Sequence, residues 1–251
     1  TKETRYWSKF FLLLMLLLAT YTFTYLFLTY IKNNNLNDFN INSIWWICLN
    51  VFLTLLAYPL IPLLERLFGF TSSITLAELS DLNNNLLKEL SIKAPGTFQH
   101  VLHVATLAEA ASEKRGANST MARVGALYHD IGKMKNPFNF TENQNNVNPH
   151  DSLDCVTSAK IIIEHVPEGV RIGKKFGLPS VIIEFIKTHH GTTKVEYFYR
   201  KFMKEHADHP VDEKVFTYPG PKPKSKEQVI VMLADTVEAA VKSLMNPTEE
   251  D

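Results

Sequence analysis

The residues best suited to chemistry are the adjacent pair His129-Asp130, which follow an apolar segment and precede Gly132-Lys133. Two adjacent polar side chains at a helix end cannot both point into one core, so burying them is unfavourable unless something binds them. A divalent metal ion would do so, because neutral imidazole and carboxylate are both good ligands for first-row metals. The alternative is a solvated His-Asp pair on the surface, which the dipeptide alone does not exclude.

Other segments carry residues of the same chemical types, and all nine histidines lie after residue 99. Several of these histidines end apolar runs, at positions where helix termini can converge. Asp235 lies inside the most apolar stretch of this part of the chain, where an unpaired buried carboxylate would be strongly destabilising. On residue type alone, the candidates for such a metal site are His100, His129, Asp130, His165, His189, His190 and Asp235, although Asp235 could equally be exposed or paired with another side chain.

The remaining polar and aromatic residues near these segments have two interpretations. His103 is three residues from His100 and could support it or belong to the core, whereas His206 and His209 flank a loop and are expected to be solvated. His150, in the stretch Asn-Pro-His-Asp, is expected to line a substrate pocket. The aromatic run 197–199 could stack on a base, but such a run in a helix more often belongs to the core.

Helices must position these side chains, because apolar residues recur at helical spacing and no segment alternates with a period of two. The sequence therefore predicts an all-α fold with loops over 136–150 and 210–224. Ser225 and Gln228 form a capping-box pattern at the start of the last helix. Helices are predicted over about 74–92, 97–114, 119–130, 153–165, 179–190 and 195–206, and from Ser225 onward.

The front of the chain differs from the rest in having two long uncharged runs. Phe10–Ile31 contains 22 residues without a charge and Ile44–Leu64 contains 21, each long enough to cross a bilayer as a helix. A secretory signal peptide is the alternative for the first run, but no small-residue cleavage site follows it. The predicted organisation is two transmembrane helices within residues 1–67 (about 10–31 and 44–64), a linker helix over 68–93 and a catalytic domain over 94–251.

The charges and cysteines indicate where the domains lie and what they bind. Positive-inside counting places both ends of the paired spans in the cytoplasm, on the basis of Lys2, Arg5, Lys9 and Arg66. Cys48 lies in the second span and Cys155 in the catalytic part, so a disulfide between them is implausible and a reducing compartment is expected. With 26 basic and 26 acidic residues, the chain shows no sign of binding a DNA or RNA polymer.

The order His, His-Asp, His, His-His, Asp resembles the HD superfamily of metal-dependent phosphohydrolases in its two-metal form, over about residues 94–245. More narrowly, the chain resembles the C-terminal end of the seven-transmembrane HD phosphodiesterases of bacteria, which hydrolyse cyclic di-AMP. On this resemblance the two spans would be the last two of seven, and the chain would be a piece of a longer protein. The matching stretches are 95–100, 125–133, 142–144, 148–151, 189–193, 218–223 and 234–240.

The resemblance implies a helical HD-domain bundle, a bacterial cell-membrane location with the HD domain in the cytoplasm, and hydrolysis of cyclic di-AMP to pApA. Two divalent ions, iron or manganese, are expected as cofactors, with the lipid bilayer and a second copy of the chain as further partners. Asp130 and Lys133 would be catalytic, with Asp130 bridging the metals and Lys133 facing the phosphate. The first metal would be held by His100, His129, Asp130 and Asp235, the second by His165, His189 and His190, and the substrate by His150, Thr192 and Lys222.

Other functions stay open at this point. An HD hydrolase could act on another nucleotide, and relatives with a Gly-Tyr-Pro signature hydrolyse cyclic di-GMP, although Gly191-Thr-Thr193 stands here instead. A non-catalytic receptor could use the same fold to bind a nucleotide and signal to the membrane. A structural membrane adaptor would leave the seven ligand-type residues unexplained.

Overall fold

The computed structural model describes residues 2–33, 42–145, 147–206 and 212–243, and the chain forms two compact units, Thr1–Phe70 and Thr71–Asp251. Regular structure in the described residues is helical, apart from one isolated bridge between Lys194 and Thr217. The predicted all-α class is therefore confirmed.

The first unit consists of two helices, α1 (Lys2–Asn33) and α2 (Asn42–Phe68). The Tyr21 hydroxyl lies 3.2 Å from the Thr54 hydroxyl across this pair. Among the described residues one stretch, Leu12–Asn33, is long and apolar enough to cross a membrane, with a mean hydropathy of 1.9. The apolar stretch of α2, Asn42–Ala57, is shorter, so the second predicted span stays a prediction.

The second unit contains nine described helices joined by short 3₁₀ turns. The turns are Ile131–Lys135, Pro137–Asn139, Thr141–Asn143, Pro149–Ser152 and Glu213–Phe216. The helices are α3 (Ser73–Leu79), α4 (Asn85–Lys93), α5 (Pro95–Lys114), α6 (Ser119–Tyr128), α7 (Cys155–Ile163), α8 (His165–Lys175), α9 (Ser180–Thr188), α10 (Glu196–Glu205) and α11 (Lys226–Ser243).

The main core lies between α5, α6, α9 and α11, whose inner faces are apolar at helical spacing. Val101, Val104, Leu127 and Ile186 are completely buried there, and each such side chain stabilises the fold by about 1.5–3 kcal/mol. A smaller core joins α7 and α10 to the Glu213–Phe216 turn around Phe216. The four helices of the main core bring the metal-ligand candidates of distant segments together.

The prediction of one continuous linker helix over 74–92 is wrong, because the chain turns between α3 and α4. The Asp81 side chain accepts the Asn83 amide at 2.9 Å, and the Asn84 side chain caps α4 through the amide of Leu86 at 3.0 Å. Asp and Asn compete with the helix for backbone hydrogen bonds in this way. Leu76 and Leu87 are buried in the main core, so both helices are packed parts of the second unit.

The helix predicted to end at His165 is also placed differently. Helix α7 ends at Ile163, and His165 is the first residue of α8. Pro167 does not break a helix here, because it lies in the first turn of α8, where a missing N–H removes no intrahelical bond. The predicted capping box is confirmed. The main-chain N–H of Gln228 donates to Ser225 Oγ at 3.2 Å, and the main-chain N–H of Ser225 donates to Gln228 Oε1 at 3.4 Å.

Candidate active site

Three imidazoles of the site are oriented by main-chain carbonyls at helix ends. The Nδ1 atoms of His129, His165 and His189 lie 2.7, 2.6 and 2.8 Å from the carbonyl oxygens of the residues three positions earlier. Carbonyls in the last turn of a helix have no intrahelical partner, so they are free to accept these bonds. Because Nδ1 carries the proton, Nε2 of each ring is free to act as a ligand in the interior.

His100 comes from the second turn of α5 and Asp235 from the middle of α11, and these two helices pack against each other. His100 Nε2 lies 3.0 Å from Asp235 Oδ1, and its Nδ1 lies 2.6 Å from Glu238 Oε2. Asp235 Oδ1 is also 3.7 Å from His129 Nε2, and Asp235 Oδ2 is 3.9 Å from His190 Nδ1. Asp235 thus reaches imidazoles from three different helix regions.

Asp130 lies at the centre, with its two oxygens facing different groups of histidines. Oδ2 is 3.5 Å from His100 Nε2 and 3.4 Å from His129 Nε2. Oδ1 is 3.3 Å from His165 Nε2 and 3.6 Å from His189 Nε2. A carboxylate between two groups of nitrogen ligands is the arrangement that a bridging metal ligand requires.

The donor atoms of these residues suit a pair of divalent cations. Ligand atoms of His165, His189 and His190 lie within 4.8 Å of one another, and so do those of His100, His129 and Asp130. His100 Nε2, His129 Nε2 and Asp130 Oδ1 are buried and have no hydrogen-bond partner. Buried polar atoms are rarely left unsatisfied, and the set of imidazole and carboxylate donors fits first-row metals.

The charges in the site call for a cation beside the two aspartates. Burial would raise the pKa of Asp130, but Lys133 and His129 outweigh it and hold that pKa well below its usual range. Burial likewise opposes a charge on His129, yet the carboxylates of Asp130 and Asp235 raise its pKa to about 10. Burial and a neighbouring histidine lower the pKa of His190 to about 3, so this ring is already neutral, whereas His129 would release its extra proton when a metal ion binds.

Gly132 lets the His129-Asp130 segment approach the start of α8. A Cβ atom at position 132 would lie 1.8 Å from the His165 carbonyl oxygen and 2.6 Å from the Gly169 nitrogen. No side chain fits at that separation, so glycine at this position allows Asp130 and His165 to meet across the two segments.

Lys133 is fixed between two carboxylates at the edge of the site. Its Nζ lies 2.8 Å from Asp130 Oδ2 and 2.9 Å from Glu142 Oε1. Burial opposes the ammonium charge, but Asp130 and Glu142 outweigh it and raise the pKa of Lys133. Lys133 therefore places a positive charge beside Asp130.

The loop that carries Glu142 is attached to the start of α5, which has no side-chain cap of its own. Asn143 Oδ1 accepts the amides of Gly96 and Thr97 at 2.8 and 3.2 Å, and the Thr97 hydroxyl donates to Glu142 Oε1 at 2.9 Å. Asn143 is thus a cap supplied from 46 residues away, and it fixes Glu142 next to Lys133.

A cleft of about 680 Å³ opens over this arrangement. At one end it reaches His100, Lys133, His190 and Asp235. Aromatic, apolar and amide side chains form most of the remaining lining, and the charged residues Glu142, Glu238 and Lys242 also contribute to it. The uncharged lining residues and His150 are Asn139, Phe140, Thr141, Gln144, Asn148, His150, Ile162, Val195, Tyr197, Phe198 and Ala239. Volume and lining match those of small-molecule sites, which are mostly apolar with a few polar groups.

The structure brings the seven predicted metal-ligand residues together, with Lys133 beside them. His150 lines the cleft, where its Nε2 lies 3.0 Å from the Asn139 carbonyl and its buried Nδ1 has no hydrogen-bond partner. Thr192 and Lys222 are exposed and lie together beside the Gly220 turn, but they do not line the cleft.

The other histidines lie outside the cluster. His103 is 60% exposed and contacts Glu238, whereas His206 is exposed directly after α10 and stacks on Phe202. His209 lies outside the described residues.

Sequence reasoning gave no role to three residues of the site. Glu238 holds His100, Glu142 holds Lys133, and Tyr218 is buried with its ring stacked on His190 at 4.2 Å. One signal was available for Glu238: it follows Asp235 by three residues and so shares its helix face.

The chain matches the HD domain family over residues 97–240. It is 46% identical over 198 residues to the cyclic-di-AMP phosphodiesterase PgpH of Bacillus subtilis, covering 78% of this chain and 28% of that protein. It is also 46% identical over 195 residues to PgpH of Listeria monocytogenes, covering 77% of this chain and 27% of that protein. The chain thus spans about a quarter of the length of these curated relatives.

Solved structures of the L. monocytogenes PgpH HD domain are also similar to this chain. One superimposes with a TM-score of 0.62 at 48% identity, covering 66% of this chain and 77% of the solved chain. The same domain in complex with cyclic-di-AMP gives a TM-score of 0.62, with 65% and 75% coverage.

Proposed function

Because the chain belongs to the HD domain family, we propose that it is a two-metal phosphodiesterase that hydrolyses cyclic di-AMP to pApA. The observation that carries this proposal is the position of Asp130, whose two carboxylate oxygens face two separate groups of imidazoles. The named activity of the PgpH relatives, and the PgpH domain solved with cyclic-di-AMP, support the choice of substrate.

The ligand sets in this proposal follow the grouping of donor atoms. His100, His129, Asp130 and Asp235 would hold one ion, and His165, His189, His190 and Asp130 the other. Iron or manganese suits such a histidine-rich set. Two bound divalent ions would lower the pKa of a shared water and neutralise charge on the phosphoryl oxygens.

The chain's own residues would orient the substrate and stabilise charge. Lys133 would place its ammonium next to the scissile phosphate, held there by Asp130 and Glu142 at 2.8 and 2.9 Å. A fixed cation of this kind stabilises negative charge that develops in the transition state. His150 lines the cleft, with its Nε2 3.0 Å from the Asn139 carbonyl oxygen, and remains a proposed substrate contact farther along the cleft.

Thr192 and Lys222 remain predicted substrate contacts, although the cleft lining argues for a different set. Tyr197 and Phe198 lie on the cleft with their rings nearly perpendicular, and Tyr197, which is 68% exposed, offers its ring face to a purine base. We propose that base recognition uses this aromatic end and that phosphate recognition uses the Lys133 end.

The proposed location is the bacterial cell membrane, with the HD domain in the cytoplasm. The apolar stretch Leu12–Asn33 supports at least one span. The second span, the multi-pass topology and a homodimer belong to the same proposal.

The test is cleavage of cyclic di-AMP by the 251-residue chain in detergent, loaded with manganese. The wild type should form pApA, and Asp130→Asn should reduce turnover by about 10³-fold or more, the scale of losing a central catalytic group. Asp154→Asn is the matched control: Asp154 is exposed and caps α7, a role that Asn also fills.

The other functions predict different results in the same assay. Two ions per chain with no cleavage of cyclic di-AMP, but rapid cleavage of another nucleotide, would make the substrate wrong. A chain that binds cyclic di-AMP but binds no metal and does not cleave the nucleotide would be a receptor, and the hydrolase proposal would fall.

A further inference from the structure

We propose that Glu238 is a positioning residue that fixes His100 and, through its negative charge, strengthens the metal position to which His100 belongs. This inference rests on the proposed two-metal function and deepens it, because it makes the two metal positions unequal.

The geometry places Glu238 directly behind a metal-ligand candidate. Glu238 Oε2 lies 2.6 Å from His100 Nδ1, on the side of the ring opposite Nε2, which faces Asp130 and Asp235. Glu238 is 7% exposed, so little water competes for this contact. A charge-assisted bond of this length restrains the ring and assigns the proton to Nδ1.

Glu238 is itself held in place from the outer side. Its second oxygen, Oε1, lies 2.5 Å from Lys242 Nζ and 3.4 Å from His103 Nδ1. Asp235 and Glu238 are three residues apart on α11, so one helix face supplies both a proposed ligand and the support of its neighbour. A shift of α11 would therefore move both contacts to His100 together.

The support of His100 differs in kind from that of His129, His165 and His189. Those three rings donate to neutral main-chain carbonyls, whereas His100 donates to a carboxylate. A carboxylate behind a metal-bound imidazole raises the basicity of the ligand, and its loss typically weakens metal binding by about 10–100-fold. Such a loss should affect the ion held by His100 and leave the other ion unchanged.

Two substitutions separate orientation from charge. Glu238→Gln keeps an oxygen that can accept the His100 Nδ1 proton but removes the negative charge, whereas Glu238→Ala removes both. Glu227→Gln is the matched control on the same helix, because the Glu227 carboxylate accepts the Asn118 amide and is not in the metal cluster. All three are compared with the wild type as 251-residue chains in detergent.

The first measurement is a manganese titration in which electron paramagnetic resonance counts free Mn²⁺. Glu227→Gln should bind two ions, and each ion should bind with the same affinity as it does in the wild type. In Glu238→Gln one ion should bind about 10-fold more weakly, and in Glu238→Ala about 100-fold, with the second ion unchanged. A second measurement follows turnover against manganese concentration, where high manganese should restore the turnover of Glu238→Gln.

Two results would overturn the inference. Wild-type affinity for both ions in Glu238→Gln would show that the charge of Glu238 does not support the metal, and equal weakening of both ions would show a general role in the fold. If the wild type itself binds fewer than two ions, the two-metal proposal fails first, and this inference falls with it.

Discussion

Replacing Gly132 by alanine should damage the active site without touching a ligand. The new Cβ would lie 1.8 Å from the His165 carbonyl oxygen, whereas real Cβ contacts are essentially never under 3.0 Å. The obstacle is backbone, so the Ile131–Lys135 turn and the start of α8 must separate by at least 3.0 − 1.8 = 1.2 Å. That separation carries His165 away from Asp130 Oδ1, which lies only 3.3 Å from it in the native structure.

Two magnitudes follow for Gly132→Ala. Forcing an extra carbon into a packed contact costs about 1–3 kcal/mol of unfolding free energy. A displacement of about 1 Å at reacting groups can cost about 10²-fold in rate. We therefore expect a fall of about 100-fold in cyclic di-AMP turnover at a temperature where the variant is still folded, together with weaker binding of one manganese ion.

The matched comparison is Gly169→Ala, at the same contact. Its Cβ would meet a methyl group of Ile186 at 2.9 Å and the Gly132 nitrogen at 3.3 Å, so a side-chain adjustment relieves most of the clash. Chemical denaturation, manganese titration and turnover should all show a smaller effect than for Gly132→Ala. Near-native stability, metal content and turnover in Gly132→Ala would refute the claim that this close approach sets the site.

Three further predictions concern the loop, the lysine and the metals. Asn143→Ala removes the cap over the amides of Gly96 and Thr97, so urea denaturation should show a loss of about 1 kcal/mol, and unchanged stability would show that water replaces the cap. Lys133→Gln should lower kcat by about 10²-fold or more while leaving two ions bound, and a rise in KM alone would assign the lysine to ground-state binding. Manganese at about 100 times its Kd should stabilise the chain by about 2.7 kcal/mol per independent site; a melting temperature that EDTA leaves unchanged would contradict metal binding to the folded state.

Much of the site was predictable because its residues are chemically conspicuous. His129-Asp130, the histidines that follow apolar runs and Asp235 in an apolar helix are costly to bury unless they are bound, and the structure brings them together. Glu238 and Glu142 were not distinguished, because a glutamate on a helix or in a loop is normally solvated. Glu238 contacts His100, 138 positions away in the sequence, and Glu142 contacts Lys133, 9 positions away. No local sequence pattern encodes either contact.

The errors in the helices arose where local side-chain chemistry outweighed apolar spacing. The leucines of 74–92 suggested one helix, but the Asp81–Asn84 segment hydrogen-bonds to its own backbone and ends α3. The helix predicted over 153–165 ends at Ile163, and a new helix follows directly, because Pro167 lies in a first turn, where proline is compatible with a helix. Thr192 and Lys222 were grouped with the substrate contacts, and the fold does place them together, but outside the cleft lining.

The carbonyls that orient three of the histidines belong to Ala126, Ile162 and Ile186, and this affects how the protein responds to mutation. Every amino acid carries a main-chain carbonyl, so no replacement of these side chains deletes the acceptor. A mutational scan would therefore score the three positions by packing alone and would miss their role in aligning the rings. Moving a helix end by one residue would do what those substitutions cannot, so the alignment of these three rings is vulnerable to insertions and deletions in the helices.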